Sequence, residues 1–121
     1  MAISKILIVD DSPTDRLHLS NMLSRNGFKV ATAESAEDAL AKVKQLRPDL
    51  VLMDVVMPGQ NGFQATRTLT RDDNTKDIPI ILCTSKGQET DKVWGMRQGA
   101  RDYIVKPVVQ ADLLAKIAAL G

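Results

Sequence analysis

The chain has 121 residues, 44% of them hydrophobic, which suffices for one domain with a full core and leaves no room for a second. Sixteen Lys and Arg against fifteen Asp and Glu give a formal net charge of +1, so no overall field draws the protein to nucleic acid or to an anionic membrane. Any charge-driven function must be local. The single Cys83 excludes an internal disulfide, and its place in the apolar run Ile80-Ile81-Leu82-Cys83 predicts a packed thiol suited to a reducing cytosol. Ile6 to Val9 lacks the length and cleavage pattern of a signal peptide, and nothing approaches a membrane span. The expectation is a cytoplasmic protein without membrane insertion.

Lys5-Ile6-Leu7-Ile8-Val9 has the continuous apolar character of a strand buried on both faces, β1 over 5–9, and ends at Asp10-Asp11. Ser12 offers an N-cap and Pro13 suits the first helical position of α1, whose apolar stripe is read as Leu17, Met22 and Leu23 before Asn26-Gly27 stops it. Residues 28–33 alternate like a strand, β2. Ser35 and Asp38 then form a capping pattern ahead of Ala39, Leu40, Val43 and Leu46 in α2. The run 48–54, β3, ends in Asp54 and breaks at Pro58-Gly59, which places that carboxylate at a strand tip. A helix carrying Phe63, Ala65, Thr66 and Leu69 follows as α3, then β4 over 78–84, α4 over 88–98, β5 over 102–105 and α5 over 110–120.

Five strands alternating with five helices predict right-handed crossovers and a parallel sheet covered on both faces. The expected fold is α/β, a flavodoxin-like (βα)5 doubly wound sheet of order 2-1-3-4-5, forming one domain over residues 1–121. In that order the switch point lies between β1 and β3, and ligands bind beyond the carboxyl ends of the strands. Asp10, Asp11 and Asp54 would meet there.

Three crowded carboxylates either raise a pKa or hold a cation, and hard oxygen donors without nearby His or Cys favour magnesium. Magnesium keeps several waters and pairs readily with phosphate, and a carboxylate can itself be a phosphoryl nucleophile. Lys106, at the end of β5, suits a point charge on a phosphoryl oxygen, and Thr84, at the end of β4, can donate a hydroxyl hydrogen bond.

These residues, together with Met57-Pro58-Gly59, Gly62, Tyr103 and Lys106-Pro107, resemble a response-regulator receiver domain of the CheY type along the whole chain. The resemblance implies that Asp54 accepts a phosphoryl group from a histidine kinase, with Asp11, Asp54 and the backbone carbonyl of Val56 holding magnesium and Asp10 assisting through water. It implies that Lys106 contacts the phosphoryl oxygens, that the Lys106-Pro107 bond is cis, and that Thr84 and Tyr103 relay the change to an α4-β5-α5 face where a downstream protein binds. Val56 and Lys86 stand at positions that tune acyl-phosphate lifetime in receivers. Val56 offers no side chain to orient water and Lys86 can reach the phosphoryl charge, so dephosphorylation is expected not to be unusually fast.

The runs Asn61 to Arg67, Gln88 to Gly95 and Arg97 to Tyr103 are similar to the PilH group of twitching-motility regulators, which implies a CheA-like kinase in a type IV pilus pathway. The expected protein is a monomeric phosphoacceptor without an output domain, no enzyme beyond its own phosphorylation and dephosphorylation, signalling through contact. Alternatives are a phosphate sink for a sister regulator and a phosphorylation-independent interaction domain. A magnesium-dependent phosphatase is disfavoured because no acid stands two residues after Asp54, and a dinucleotide site because Asp10-Asp11-Ser12-Pro13 is not glycine-rich. His18 reads as a solvated helix residue away from the strand tips and the five methionines as core filler, while Trp94 fits either core or surface.

Overall fold

A computed structural model describes residues 3–55, 61–85 and 89–120. Five strands, β1 (Lys5–Val9), β2 (Lys29–Ala33), β3 (Leu50–Asp54), β4 (Ile80–Ser85) and β5 (Asp102–Lys106), form one parallel sheet in the order β2-β1-β3-β4-β5. Between and after them run α1 (Pro13–Arg25), α2 (Ala36–Leu46), α3 (Gly62–Arg71), α4 (Glu89–Arg97) and α5 (Gln110–Leu120). This is the flavodoxin-like order expected from the pattern.

The starts of α1, α2 and α3 each have a local cause. Ser12 Oγ accepts from Asp15 N, Ser35 Oγ accepts from Asp38 N, and Asn61 and Gln64 exchange side-chain to backbone bonds in a capping box. Such caps contribute about 1 kcal/mol apiece by satisfying amides that the helix leaves open. Gly27 and Gly99 follow α1 and α4 at φ +89° and +105°, conformations glycine adopts without a Cβ clash.

Strand alternation divides the core into two layers. Leu7, Val9, Val51, Met53, Ile80 and Leu82 pack with Ala36, Ala39 and Val43 of α2 and Ala65 and Leu69 of α3. Ile6, Ile8, Leu50, Leu52, Ile81, Cys83 and Ile104 face Leu19, Met22 and Leu23 of α1 and Leu113 and Ile117 of α5. α4 comes close to β4 because residue 95 is glycine: a Cβ there would lie 2.1 Å from Leu82 Cδ1.

Two expectations need correction. Leu17 is exposed, and the buried stripe of α1 is Leu19, Met22 and Leu23, since position 17 lies about 200° around a 3.6-residue helix from position 19. Met96 is exposed beside Val93 and Trp94, so only Met22 and Met53 are core methionines among the described residues. Trp94 takes the surface alternative. Cys83 is buried as expected, and burial pushes its thiol up to about 12, which leaves it unreactive.

Candidate functional site

Sheet register assembles the acids. Val9 pairs with Met53, so one residue further along the two parallel strands Asp10 lies beside Asp54. Both share the parity of Ile8 and Leu52, which puts them on the α1 and α5 face of the sheet; Lys106 shares that face through Ile104. Asp11 adds an exposed third carboxylate, and donor oxygens of Asp10, Asp11 and Asp54 lie within 4.8 Å of one another. Gly62 permits this packing: its N–H donates to Val55 O at 3.0 Å, and a Cβ there would stand 2.2 Å from the Asp54 carbonyl oxygen.

Lys106 crosses the acids. Its Nζ lies 2.8 Å from Asp10 Oδ2, 3.1 Å from Asp15 Oδ2 and 3.3 Å from Asp54 Oδ1. Burial works against the ammonium, but the hydrogen bond to Asp10 and the charges of Asp54 and Asp10 outweigh it and hold the lysine well above its usual range. Asp10 is further fixed by Ser12 N on Oδ1 at 2.9 Å, and Arg16 Nη1 donates to its backbone carbonyl at 2.6 Å.

Asp54 is different. Its side chain is 10% exposed, and burial, reinforced by the charge of Asp10 and only partly offset by Lys106, lifts its pKa to about 6. Near neutral pH it is an ionised carboxylate whose charge the fold solvates poorly, and that environment favours any partner supplying positive charge or taking up the oxygen's electrons.

The remaining expectations fall as follows. Thr84 is buried, and its hydroxyl has no hydrogen-bond partner among the described residues. It is the penultimate residue of β4, pairs with Val105 and shares the parity of Leu82, opposite to that of Asp54. Tyr103 is half-buried on that same side, with Lys116 Nζ 5.3 Å from its ring centroid and 3.3 Å from Asp102 Oδ1. The Lys106-Pro107 bond is cis. Val56 and Lys86 lie outside the described residues. His18, expected away from the strand tips, lines a 70 Å³ cavity with Asp15, Leu19, Lys106, Pro107 and Val108 while remaining exposed. That correction arises because the first turns of α1 lean over the end of β5.

Asp15 and Arg16 were missed. In sequence an acid three residues after an N-cap serine reads as a helix-terminus charge, and only the spatial approach of β5 reveals its second partner.

The donor set fits a magnesium ion. Asp10, Asp11 and Asp54 bring their carboxylates together, all the donors are oxygens, and exposed Asp11 leaves room for the waters this ion retains.

A buried carboxylate at the switch point of a sheet in this order, spanned by a lysine from the fifth strand, is an arrangement with known counterparts. Residues 6–118 match the response regulator receiver domain family, and the chain belongs to that family. Within it the chain is 57% identical to Protein PilH of Pseudomonas aeruginosa over 117 residues, covering 97% of each, which supports a place in the PilH group. It is 41% identical to the phosphate regulon transcriptional regulatory protein PhoB of the same organism, of which it spans 50%. Among solved structures, the chemotaxis protein CheY4 of Vibrio cholerae aligns with a TM-score of 0.91 and 32% identity, covering 99% of this chain and 100% of that one. A putative response regulator from Chloroflexus aurantiacus aligns with a TM-score of 0.94 and 31% identity, covering 98% and 97%.

Proposed function

We propose that this chain is a response-regulator receiver whose Asp54 takes a phosphoryl group from the phosphohistidine of a CheA-like histidine kinase. The observation that carries the reading is the Asp54 carboxylate, buried, raised to about 6, and set between Asp10 and Lys106. In the transfer, an Asp54 oxygen forms a bond to phosphorus while the phosphorus–nitrogen bond to the kinase imidazole breaks, leaving an acyl phosphate. Magnesium, held by Asp11 and Asp54 with Asp10 assisting through water, would supply charge neutralisation at the phosphoryl oxygens.

The residues of this chain do the rest. Asp10 and Arg16 hold the β1 end in place, and Lys106 brings a partly buried positive charge to the incoming oxygens. Thr84 supplies a hydroxyl donor still seeking an acceptor among the described residues. Engagement of Thr84 and repacking of Tyr103 on the same side of the sheet carry the change to the face formed by α4, β5 and α5, where a protein target docks. The carry-over from Protein PilH, as named, suggests a type IV pilus and twitching-motility pathway. The protein works as a cytoplasmic monomer, and its receiver domain catalyses nothing beyond its own phosphorylation and dephosphorylation. No helix among the described residues is long and apolar enough to cross a membrane.

Acetyl phosphate with magnesium, read on phosphate-retarding gels, tests the central step. Wild type should give a shifted band and Asp54→Asn none. An unshifted wild type, or an equal shift in the variant, would refute the proposal and favour a phosphorylation-independent binding module. A decay half-life of seconds would refute the expectation of slow dephosphorylation drawn from Val56 and Lys86.

A further inference from the structure

An ammonium has three N–H donors, and in this fold three carboxylates occupy the surroundings of Lys106 Nζ: Asp10 at 2.8 Å, Asp15 at 3.1 Å and Asp54 at 3.3 Å. Lys106 Nζ donates hydrogen bonds to Asp10 and Asp15, so a phosphoryl group on Asp54 brings new acceptor oxygens that compete with those two partners. Asp10 is a poor candidate to give way, because its side chain is 2% exposed and would be left as an uncompensated buried charge. Asp54 itself carries the new group, so its side of the lysine is filled by the phosphoryl oxygens. Asp15 is 47% exposed and regains water on release.

Asp15 is nonetheless no loosely placed surface acid. It sits in the first turn of α1, where its N–H donates to Ser12 Oγ at 3.3 Å, while Ser12 N is tied to Asp10 Oδ1 at 2.9 Å. The neighbouring Arg16 binds the Asp10 carbonyl. The same turn that caps α1 therefore aims a carboxylate at the lysine, 91 positions further along the chain.

We propose that Asp15 is a positioning residue that competes with the phosphoryl group for Lys106, restraining the lysine in the unphosphorylated state and being exchanged when Asp54 is modified. This rests on Asp54 being the phosphoacceptor. An ordinary helix-terminus role for Asp15 would require neither the contact with Lys106 nor any effect on phosphorylation.

Wild type, Asp15→Asn, Lys106→Met and the double variant form the test, with acetyl phosphate labelling rates and the affinity for beryllofluoride, followed by fluorine NMR, as readouts. Because the released ion pair is half exposed, Asp15→Asn should label about 2- to 5-fold faster and bind beryllofluoride tighter by a similar factor. In the Lys106→Met background the same change should have no effect. No acceleration, or a decrease, overturns the inference. Equal acceleration in both backgrounds also overturns it, since the carboxylate would then act through its general charge on the donor. Should the Lys106→Met chains label too slowly to follow, urea unfolding of the four proteins measures the Asp15–Lys106 coupling directly, and zero coupling overturns the inference. A wild type that takes no label sinks the phosphoacceptor reading, whereas a labelled wild type unaltered by Asp15→Asn sinks the competition alone.

Discussion

Two aspartates bracket the central strand, and the fold treats them in opposite ways. At the start of β3, Asp49 Oδ2 accepts from Ser4 N and Lys5 N at 2.9 Å each, and these amides hold its pKa below the ordinary carboxylate value. At the other end Asp54 is buried, faces another acid and is raised to about 6. Asp49 lies where β1 and β3 begin and the open amides of the chain entering β1 are available; Asp54 lies where the strands stop and the next layer is other carboxylates. The lesson is that one residue type on one strand becomes a structural latch or a reactive group according to whether donors are supplied to its charge.

The difference can be attacked from either end. Adding a methyl group by Gly62→Ala drives a Cβ into the Asp54 carbonyl oxygen, and urea unfolding should show a loss of about 2–3 kcal/mol as the top of β3 shifts. Asp54→Asn, in chelator, should do the reverse. A carboxyl raised above its unfolded value makes ionisation unfavourable in the fold, so the penalty is absent near pH 4, grows towards pH 6 and is complete above. The variant should therefore be more stable than wild type by about 1–3 kcal/mol at pH 7, with the gain gone by about pH 4 in a urea series across pH.

Magnesium should narrow that gap. At ten times its dissociation constant it should stabilise wild type by about 1.4 kcal/mol in thermal or urea unfolding, and Asp54→Asn distinctly less. The smallest effect belongs to the latch. Asp49→Asn should lose about 1 kcal/mol at neutral pH, its hydrogen bonds being screened by solvent. Since a lowered pKa stabilises above the unfolded value, that difference should close as the pH falls through the folded-state pKa of Asp49. Opposite signs for the two Asp→Asn changes are the core of the comparison; equal signs would abolish it.

The site was legible to the extent that it follows strand ends. Asp10, Asp11, Asp54, Thr84 and Lys106 each terminate or directly follow an apolar run, so recognising a parallel sheet of order 2-1-3-4-5 already brings them to one edge. The side of the sheet was less accessible. Thr84 and Tyr103 point away from the face that holds Asp54 and Lys106, a distinction that requires the actual strand register. His18 and Leu17 show the same limit on α1, where one approaches Pro107 and the other faces solvent because of how the helix is rotated on the sheet.

By itself the amino-acid order determined the alternation of strands and helices, their caps and stops, and the identities of the acids at the strand tips, because these depend on neighbours within a few residues. Tertiary structure decided that Asp15 reaches Lys106, that Gly95 lets α4 close on Leu82, and that Trp94 and Met96 stay outside. Such contacts join residues far apart in the chain, and their distances are set by sheet register and helix rotation, quantities that no local pattern of apolar and polar side chains encodes.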